Sequence, residues 1–290
     1  MDDRIRIAPE TVAALVKAQF PQWSRLPVKP VTPGGWDNLS FRLGDDLLVR
    51  IPSAPRYAAQ VAIEQTWLPR IAPVLPVAIP EPVALGQPTD EIPFAWSVYR
   101  WLPGETVLDA RPDETALARD LATALRAFWK TETSDGPMPG ARNFHRGGDL
   151  GVYQVEVINA LSTLPDPCMR DRALAIWQEA MSSPCRATPV WVHGDVAPGN
   201  LLVSDGRLSA VIDFGLLAVG DPACDLSIAY SWFGAEARSV FQKTMDLDRG
   251  IWSRAVGWAL WKALIIRAKA GLSVAEREAS ARVLRALDIV

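Results

Sequence analysis

The residues of this 290-residue chain with the clearest chemical potential are Asp195, Asn200 and Asp213. Carboxylate and amide oxygens are the hard ligands that Mg²⁺ prefers. A metal ion held by Asn200 and Asp213 can bridge the phosphates of a nucleotide, while Asp195 orients an acceptor hydroxyl and receives its proton. This division of labour is that of phosphoryl transfer, in which positioning and charge neutralisation dominate.

A predicted hairpin would bring these side chains together. Residues 201–203 and 208–212 are short apolar runs rich in branched side chains. They flank Asp205-Gly206, and Asp-Gly between two such runs is a strong hairpin signal. The start of the first strand lies beside the end of the second, so we expect Asn200 and Asp213 to emerge at the same open end.

Two motifs coincide with this hairpin. His193-Gly194-Asp195 followed by Asn200 has the spacing H-x-D-x-x-x-x-N, and Asp213-Phe214-Gly215 follows as D-F-G. Because Gly194 replaces the Arg usual in protein kinases, the H-G-D segment resembles the catalytic loop of the aminoglycoside phosphotransferase and choline kinase group of small-molecule kinases. The alternative is a surface hairpin with ordinary turn residues, but two spaced motifs agree with the hairpin and with each other.

The resemblance implies an α+β, bilobal protein-kinase-like fold. Residues 1–102 would form a nucleotide-binding lobe with an antiparallel sheet and a helix, ending in a hinge. Residues 103–290 would form a larger, mainly helical catalytic and acceptor-binding lobe. In this resemblance Asp195 is the catalytic base, Asn200 and Asp213 bind Mg²⁺, and His193 holds the loop by packing and hydrogen bonding.

The first lobe offers candidate nucleotide contacts. Gly34-Gly35 lies in a predicted turn whose backbone N–H groups could meet phosphate, although such a pair alone is more often a plain hairpin. Arg50 ends a predicted strand where kinases carry a Lys, and its planar guanidinium can grip phosphate. Glu64 on the next helix is placed to pair with Arg50; the alternative is that both are solvated. The resemblance further implies that backbone groups of the hinge hold the nucleotide base, with Tyr99, Arg100, Trp101 and Leu102 as the candidates.

Two acidic residues follow the D-F-G segment. Asp225 begins a predicted helix and could cap it, and the resemblance implies that it supports the catalytic loop. Asp221 is a candidate contact for a polar or cationic acceptor. Further acidic residues on the preceding helical segments could make the acceptor pocket acidic, but solvated helix faces carry such residues too; they are Asp149, Glu156, Asp166, Asp171 and Glu179.

Hydrophobic periodicity and turn residues predict the secondary structure. Helices are expected over residues 9–20, 57–68, 113–130, 149–161, 167–181, 235–245, 251–270 and 273–287. Strands are expected over residues 31–43 with an internal glycine turn, and over residues 47–51, 82–85 and 94–102.

Composition restricts the partners. The net charge of −3 does not indicate binding to nucleic acid or to an anionic membrane. The longest apolar stretch, residues 258–266, is interrupted by Lys262 and is too short to span a membrane. The three cysteines are expected to be buried thiols of a reducing cytosol, and the acidic start is unlike a signal peptide. We therefore expect a cytoplasmic protein without an obligate protein partner.

The inferred reaction is transfer of the γ-phosphoryl group of ATP or GTP to a hydroxyl of a small molecule. An aminoglycoside is the leading acceptor class, with choline, homoserine, methylthioribose or a macrolide as alternatives. A nucleotide-binding protein of the same fold without catalysis is the second class of hypothesis.

Overall fold

The computed structural model describes residues 3–32, 34–185 and 188–290. The chain folds into two compact units, Met1–Pro103 with Ala210–Gly215, and Gly104–Ser209 with Leu216–Val290. The sequence predicted a single boundary after residue 102. It did not predict that residues 210–215 also belong to the first unit. Ala210 joins that unit by a parallel bridge to Ala78, whose carbonyl accepts the Val211 N–H at 3.0 Å.

An antiparallel sheet forms the centre of the first unit. Its strand order is β1-β2-β3-β5-β4. The strands are β1 (Val28–Pro30), β2 (Asn38–Leu43), β3 (Leu47–Pro52), β4 (Pro82–Gly86) and β5 (Trp96–Arg100). Every pairing is antiparallel, and Arg50 on β3 faces Ser40 on β2 and Ser97 on β5.

The two faces of this sheet contact different helices. Alternation along β3 places Val49 and Ile51 in an apolar cluster with Val12 of helix α1 (Pro9–Gln19). Arg50 points to the opposite face, where it pairs with Glu64 of helix α2 (Ala58–Ile71). The sheet therefore carries a dry core on one side and a buried polar cluster on the other.

The second unit is mainly helical. Its strands are β6 (Glu105–Thr106), β7 (Val190–Val192), β8 (Leu201–Ser204), β9 (Arg207–Val211, whose last two residues belong to the first unit) and β10 (Ala218–Gly220). Its helices are α3 (Val107–Ala110), α4 (Glu114–Phe128), α5 (Gln154–Ala160), α6 (Pro167–Ser182), α7 (Ala223–Leu226), α8 (Ile228–Ser231), α9 (Ala235–Met245), α10 (Arg249–Arg267) and α11 (Val274–Ala286).

Helix α10 is the central helix of this unit. It packs against α5, α6, α7 and α11. It is buried around most of its circumference, as a central helix requires. A Cβ at Gly257 would lie 2.6 Å from the Ala180 Cβ, so the glycine allows α10 to approach α6 closely.

The turn between β8 and β9 has the geometry that Asp-Gly favours. Asp205 and Gly206 both have positive φ, 52° and 73°. Two-residue turns with positive φ at both positions match the twist of the flanking strands. Asn200 directly precedes β8, and Asp213 follows β9.

The observed elements confirm the predicted α+β class, with its antiparallel sheet followed by a mainly helical region. Most predicted helix bounds lie within three residues of the observed ones, and residues 235–245 agree fully with α9. The helix predicted over residues 149–161 was too long, because α5 begins only at Gln154 after a 3-10 turn. The strand before the glycine turn was placed wrongly, because it occupies residues 28–30 rather than starting at Val31. Pro33, within that predicted turn, lies outside the described residues. The β7–β10 pair was missed because each strand has only three residues.

Two further expectations concern solvent exposure and membranes. The cysteine expectation was right only for Cys224, which is buried, whereas Cys168 and Cys185 are exposed. Within the described ranges, no helix has the length and apolar character needed to cross a membrane.

Candidate active site

A buried polar cluster in the first unit centres on Arg50. Its Nη1 donates to Glu64 Oε1 at 3.1 Å and to Oε2 at 3.3 Å, and the Tyr99 hydroxyl donates a short hydrogen bond to Glu64 Oε2. Burial lowers the pKa of Arg50, but the charges of Glu64 and Asp213 outweigh it and raise the pKa overall. Burial and the Glu64 charge together raise the pKa of Tyr99. Arg50 is thus a fixed cation.

Asp213 joins this cluster from the chain segment after β9. Arg50 Nη2 donates to Asp213 Oδ1 at 2.5 Å. Asp213 has φ of 67°, a left-handed conformation that few residue types other than glycine adopt. Gly215, two residues later, packs so closely on Gln60 that a Cβ would lie 2.6 Å from its side chain. Pairing and packing together hold the D-F-G segment on the first unit.

The candidate glycine turn is exposed. Neither the Gly34 nor the Gly35 N–H donates a backbone hydrogen bond within the described parts of the chain. A Cβ at Gly34 would meet only the Val31 carbonyl at 3.9 Å, whereas one at Gly35 would lie 3.2 Å from the Asn38 carbonyl. Among the described residues nothing accepts from these two N–H groups, so both can meet an external acceptor such as phosphate.

The four candidate hinge residues differ in their free backbone groups. The Arg100 N–H donates to the Glu81 carbonyl at 2.9 Å, and the Trp101 N–H donates to the Asp46 carbonyl at 2.8 Å. Tyr99 lies inside the sheet, with its side chain on Glu64. Over the described residues, Leu102 is the one whose N–H has no backbone partner. Leu102 is therefore the member of this set best able to donate to a nucleotide base.

Asp225 supports the loop that carries Asp195. This carboxylate is fully buried and accepts the His193 N–H and the Gly194 N–H, both at 2.8 Å. The His193 ring is buried too, and its Nδ1 accepts the Asp195 N–H at 3.2 Å. Burial raises the pKa of Asp225, against the lowering effect of His193. Through these contacts both side chains can hold the loop. Asp225 neither begins nor caps its helix, since α7 begins at Ala223 with Pro222 at the N-cap position.

The geometry explains the glycine in H-G-D. Gly194 has φ of 86°, and a Cβ there would lie 2.8 Å from both the Leu216 carbonyl oxygen and the Leu216 Cβ. A larger residue would meet backbone as well as side chain. The Arg found in many protein kinases has no space at this position.

Asp195 is half-buried and held by two neighbours. Asn200 Nδ2 donates to the Asp195 carbonyl at 2.9 Å and to its Oδ2 at 3.3 Å. Lys262 Nζ donates to Asp195 Oδ1 at 2.9 Å. Burial alone would raise the pKa of Asp195, but the charges of Lys262 and Arg146 outweigh it and lower that pKa to about 2. Asp195 is accordingly a carboxylate with a fixed orientation, as an acceptor of a hydroxyl proton must be.

Asp221 pairs with Arg254, so the expectation that its side chain contacts the acceptor was wrong. Its Oδ2 accepts Arg254 Nε at 2.6 Å, its Oδ1 accepts Arg254 Nη2 at 3.1 Å, and both side chains are about one-tenth exposed. Asp221 Oδ1 also accepts the Ala223 N–H. This buried, bidentate ion pair anchors α10 to the segment before α7.

Sequence reasoning missed Lys262 and Arg146 near Asp195. They lie 67 and 49 positions away along the chain, and only Lys262 left a signal, as the one charge inside an apolar run. Arg254, Trp258 and Lys262 recur every four positions, which places them on one face of α10. That spacing could have shown a common face, but not which residue the face contacts.

Asn200 and Asp213, the predicted metal ligands, already make hydrogen bonds within the protein. Asn200 uses its amide nitrogen on Asp195, and Arg50 occupies one oxygen of Asp213. Within the described chain, no hydrogen bond engages Asn200 Oδ1 or Asp213 Oδ2. Both are hard oxygen donors, and Mg²⁺ in nucleotide sites takes one or two protein ligands with phosphate and water. The described residues contain no cluster of three or more His, Cys, Asp or Glu suited to a metal.

The chain is similar to known proteins in sequence and in fold. The sequence matches the phosphotransferase enzyme family over residues 28–263, whereas comparison with curated proteins gave no significant match. Among solved structures, aminoglycoside 2'-phosphotransferase-IIIa in its GDP complex superposes with a TM-score of 0.75 at 20% identity, covering 97% of this chain and 98% of that chain. The macrolide 2'-phosphotransferase MphH from Brachybacterium faecium gives 0.66 at 22% identity, covering 95% and 98%. The ADP-bound aminoglycoside phosphotransferase APH(2'')-Ib gives 0.60 at 19% identity, covering 98% of both chains.

At these identities the solved structures establish the fold, which is that of the aminoglycoside phosphotransferases, as the resemblance implied. The family match spans most of the chain and includes both motifs, from the glycine turn to Lys262. The chain belongs to the phosphotransferase enzyme family.

Proposed function

We propose that the protein transfers the γ-phosphoryl group of ATP or GTP to a hydroxyl of a small molecule. The observation that carries the proposal is the state of Asp195, a carboxylate oriented by Asn200 and Lys262 on a loop supported by Asp225. A general base needs this combination of ionised state and fixed direction.

The first unit would bind the phosphoryl donor. Arg50, held by Glu64, presents a permanent cation, and the Gly34 and Gly35 N–H groups have no backbone partner among the described residues. Backbone at Leu102 would meet the base. Asn200 and Asp213 would hold Mg²⁺, which when bound neutralises phosphate charge.

The acceptor would bind at Asp195, which takes the hydroxyl proton as the oxygen attacks phosphorus. The solved structures of similar fold are aminoglycoside and macrolide phosphotransferases. That likeness supports an antibiotic-like acceptor, with the aminoglycoside class as the first to test, ahead of a macrolide, choline, homoserine or methylthioribose.

The test is a coupled assay for release of ADP or GDP with Mg²⁺, over aminoglycosides, macrolides, choline and sugar-like metabolites. We expect one acceptor class to stimulate release and Asp195→Asn to reduce it by about 10²–10⁴-fold. The matched control is Asp205→Asn, the same change in the exposed β8–β9 turn, which should leave release unchanged.

Other outcomes separate the alternatives. Tight nucleotide binding without turnover for any acceptor would favour a non-catalytic nucleotide-binding protein. Turnover that survives Asp195→Asn would remove the base assignment. Absence of nucleotide binding would contradict the proposed function altogether.

A further inference from the structure

In the phosphoryl transfer described above, Lys262 serves only to orient Asp195, yet it makes the closest charged contact to that carboxylate. Its Nζ lies 2.9 Å from Asp195 Oδ1, and its side chain is 44% exposed, against 35% for Asp195. An exposed cation at this distance stands beside any hydroxyl that approaches the carboxylate. It neutralises the negative charge that would otherwise attract a cationic acceptor.

A second cation, Arg146, lies beside the loop that carries Asp195. Its Cβ is 3.1 Å from the place that a Cβ at Gly194, the residue before Asp195, would occupy. Its guanidinium lies 4.6 Å from the ring centre of Trp261 and 5.2 Å from that of Trp258, which fixes it in a cation–π arrangement. The buried Asn143 amide accepts the Gly140 N–H and donates to the Arg146 carbonyl, which fixes the backbone there.

Several of the carboxylates that could have made this region acidic have partners of their own. Glu156 accepts Trp261 Nε1 at 2.9 Å, and Glu179 pairs with Arg249 at 3.0 Å. Asp149 and Asp166 each cap the start of a helical segment. Asp221 is likewise paired with Arg254, so arginines offset the charges of Glu179 and Asp221, whereas Glu156, Asp149 and Asp166 keep theirs. The charged group in direct contact with Asp195 is the Lys262 ammonium.

We propose that Lys262 is a specificity-determining residue that, together with Arg146, gives the acceptor side of Asp195 a cationic lining and selects a neutral or anionic hydroxylated acceptor over a polycation. The inference rests on the proposed function, since it assumes that the acceptor meets Asp195. It narrows that function, because it disfavours the polycationic aminoglycosides. Specificity of this kind comes from a repulsive element as much as from an attractive one.

The test uses kanamycin, a polycation, as the probe. Its binding to the full-length protein with Mg²⁺ and a non-hydrolysable ATP analogue would be measured by isothermal titration calorimetry. The variants are Lys262→Glu, Lys262→Met and Lys262→Arg. The matched control is Lys130→Glu, the same charge change at an exposed turn after α4.

We expect weak binding by the wild-type protein. Lys262→Glu should tighten it by about tenfold or more, which corresponds to about 1.4 kcal/mol, and Lys262→Met by a smaller factor. Lys262→Arg keeps the charge and should resemble the wild type. Lys130→Glu should change the affinity by less than about twofold, because an exposed distant charge is screened by salt.

Three results would overturn the inference. They are tight kanamycin binding by the wild type, equal effects of Lys262→Glu and Lys130→Glu, and no detectable binding by any variant. Binding of the ATP analogue is measured on the same samples. Its loss would contradict the proposed function, whereas its retention with unchanged kanamycin affinity would contradict only the role of Lys262.

Discussion

Gly194 and Gly206 both have positive φ, but they differ in what surrounds the position of a Cβ. At Gly194 a Cβ would lie 2.8 Å from backbone and side-chain atoms of Leu216, whereas at Gly206 nothing lies within 4 Å. The left-handed conformation alone costs an L-residue about 1–2 kcal/mol. The difference between the two sites is therefore steric.

This contrast predicts different outcomes for the same substitution. Gly206→Ala should lower the free energy of unfolding by only about 1–2 kcal/mol and leave turnover intact. Gly194→Ala should cost more and should also reduce turnover, because relief of the contact moves the loop that carries Asp195. Denaturant unfolding and the nucleotide-release assay would measure both, and equal costs would contradict the steric explanation.

Two Arg–Glu pairs of the first unit, each with its Arg on a strand of the sheet, give a second test at the residue scale. The Arg50–Glu64 side chains are 10% and 5% exposed, whereas those of Arg100–Glu81 are 59% and 57% exposed. Glu64→Gln removes one of the charges facing buried Arg50 and should cost about 3 kcal/mol or more. Glu81→Gln should change stability by less than about 1 kcal/mol. Chemical denaturation would measure the loss of stability in the two variants. Equal losses would contradict the idea that burial makes the Arg50–Glu64 pair the more important one.

At the scale of elements, one ion pair ties the β8–β9 hairpin to α4. Arg207 donates to both oxygens of Asp120, Nε at 2.7 Å and Nη2 at 2.5 Å, and the Leu208 N–H donates to the same carboxylate. The hydrogen bond from Arg207 is the main cause of the lowered pKa of Asp120, which lies below the ordinary 3.8.

The lowered pKa gives a pH dependence with a defined sign. Stability from this pair is present above the unfolded pKa of about 3.8 and is lost as the pH falls through the lower folded value. Asp120→Asn should therefore lower Tm at neutral pH, and the gap to the wild type should close as the pH falls below 3.8. Arg207→Met should show the same trend. A gap that stays constant with pH would mean that the pair contributes nothing electrostatic.

At the scale of the whole molecule, a ligand that binds only the folded state raises its stability. Mg²⁺ with ATP or GTP at about 100 times Kd should add about 2.7 kcal/mol. Asp213→Asn should remove most of this increment, since Asp213 is the proposed metal ligand on the first unit. Thermal unfolding with nucleotide and Mg²⁺, and again with excess EDTA, would measure it; an increment unaffected by EDTA would contradict the metal assignment.

Much of the fold could be predicted because its signals are local. Asp205-Gly206 predicted the hairpin, since positive φ at both positions is a property of those two residues and their immediate chain. Periodicity predicted α4 and α9 within one or two residues of their bounds. The β7–β10 pair had no such signal, because three-residue strands depend on a partner far along the chain.

Residue type and short spacing were enough to predict the fold class, the two motifs and the candidate residues Asp195, Asn200 and Asp213. The surroundings of these residues depend on the folded structure. It placed Lys262 on Asp195 and Arg254 on Asp221, pairs separated by 67 and 33 positions. Such pairings form between elements that pack together, and the order of residues along the chain does not specify which charge will lie near which.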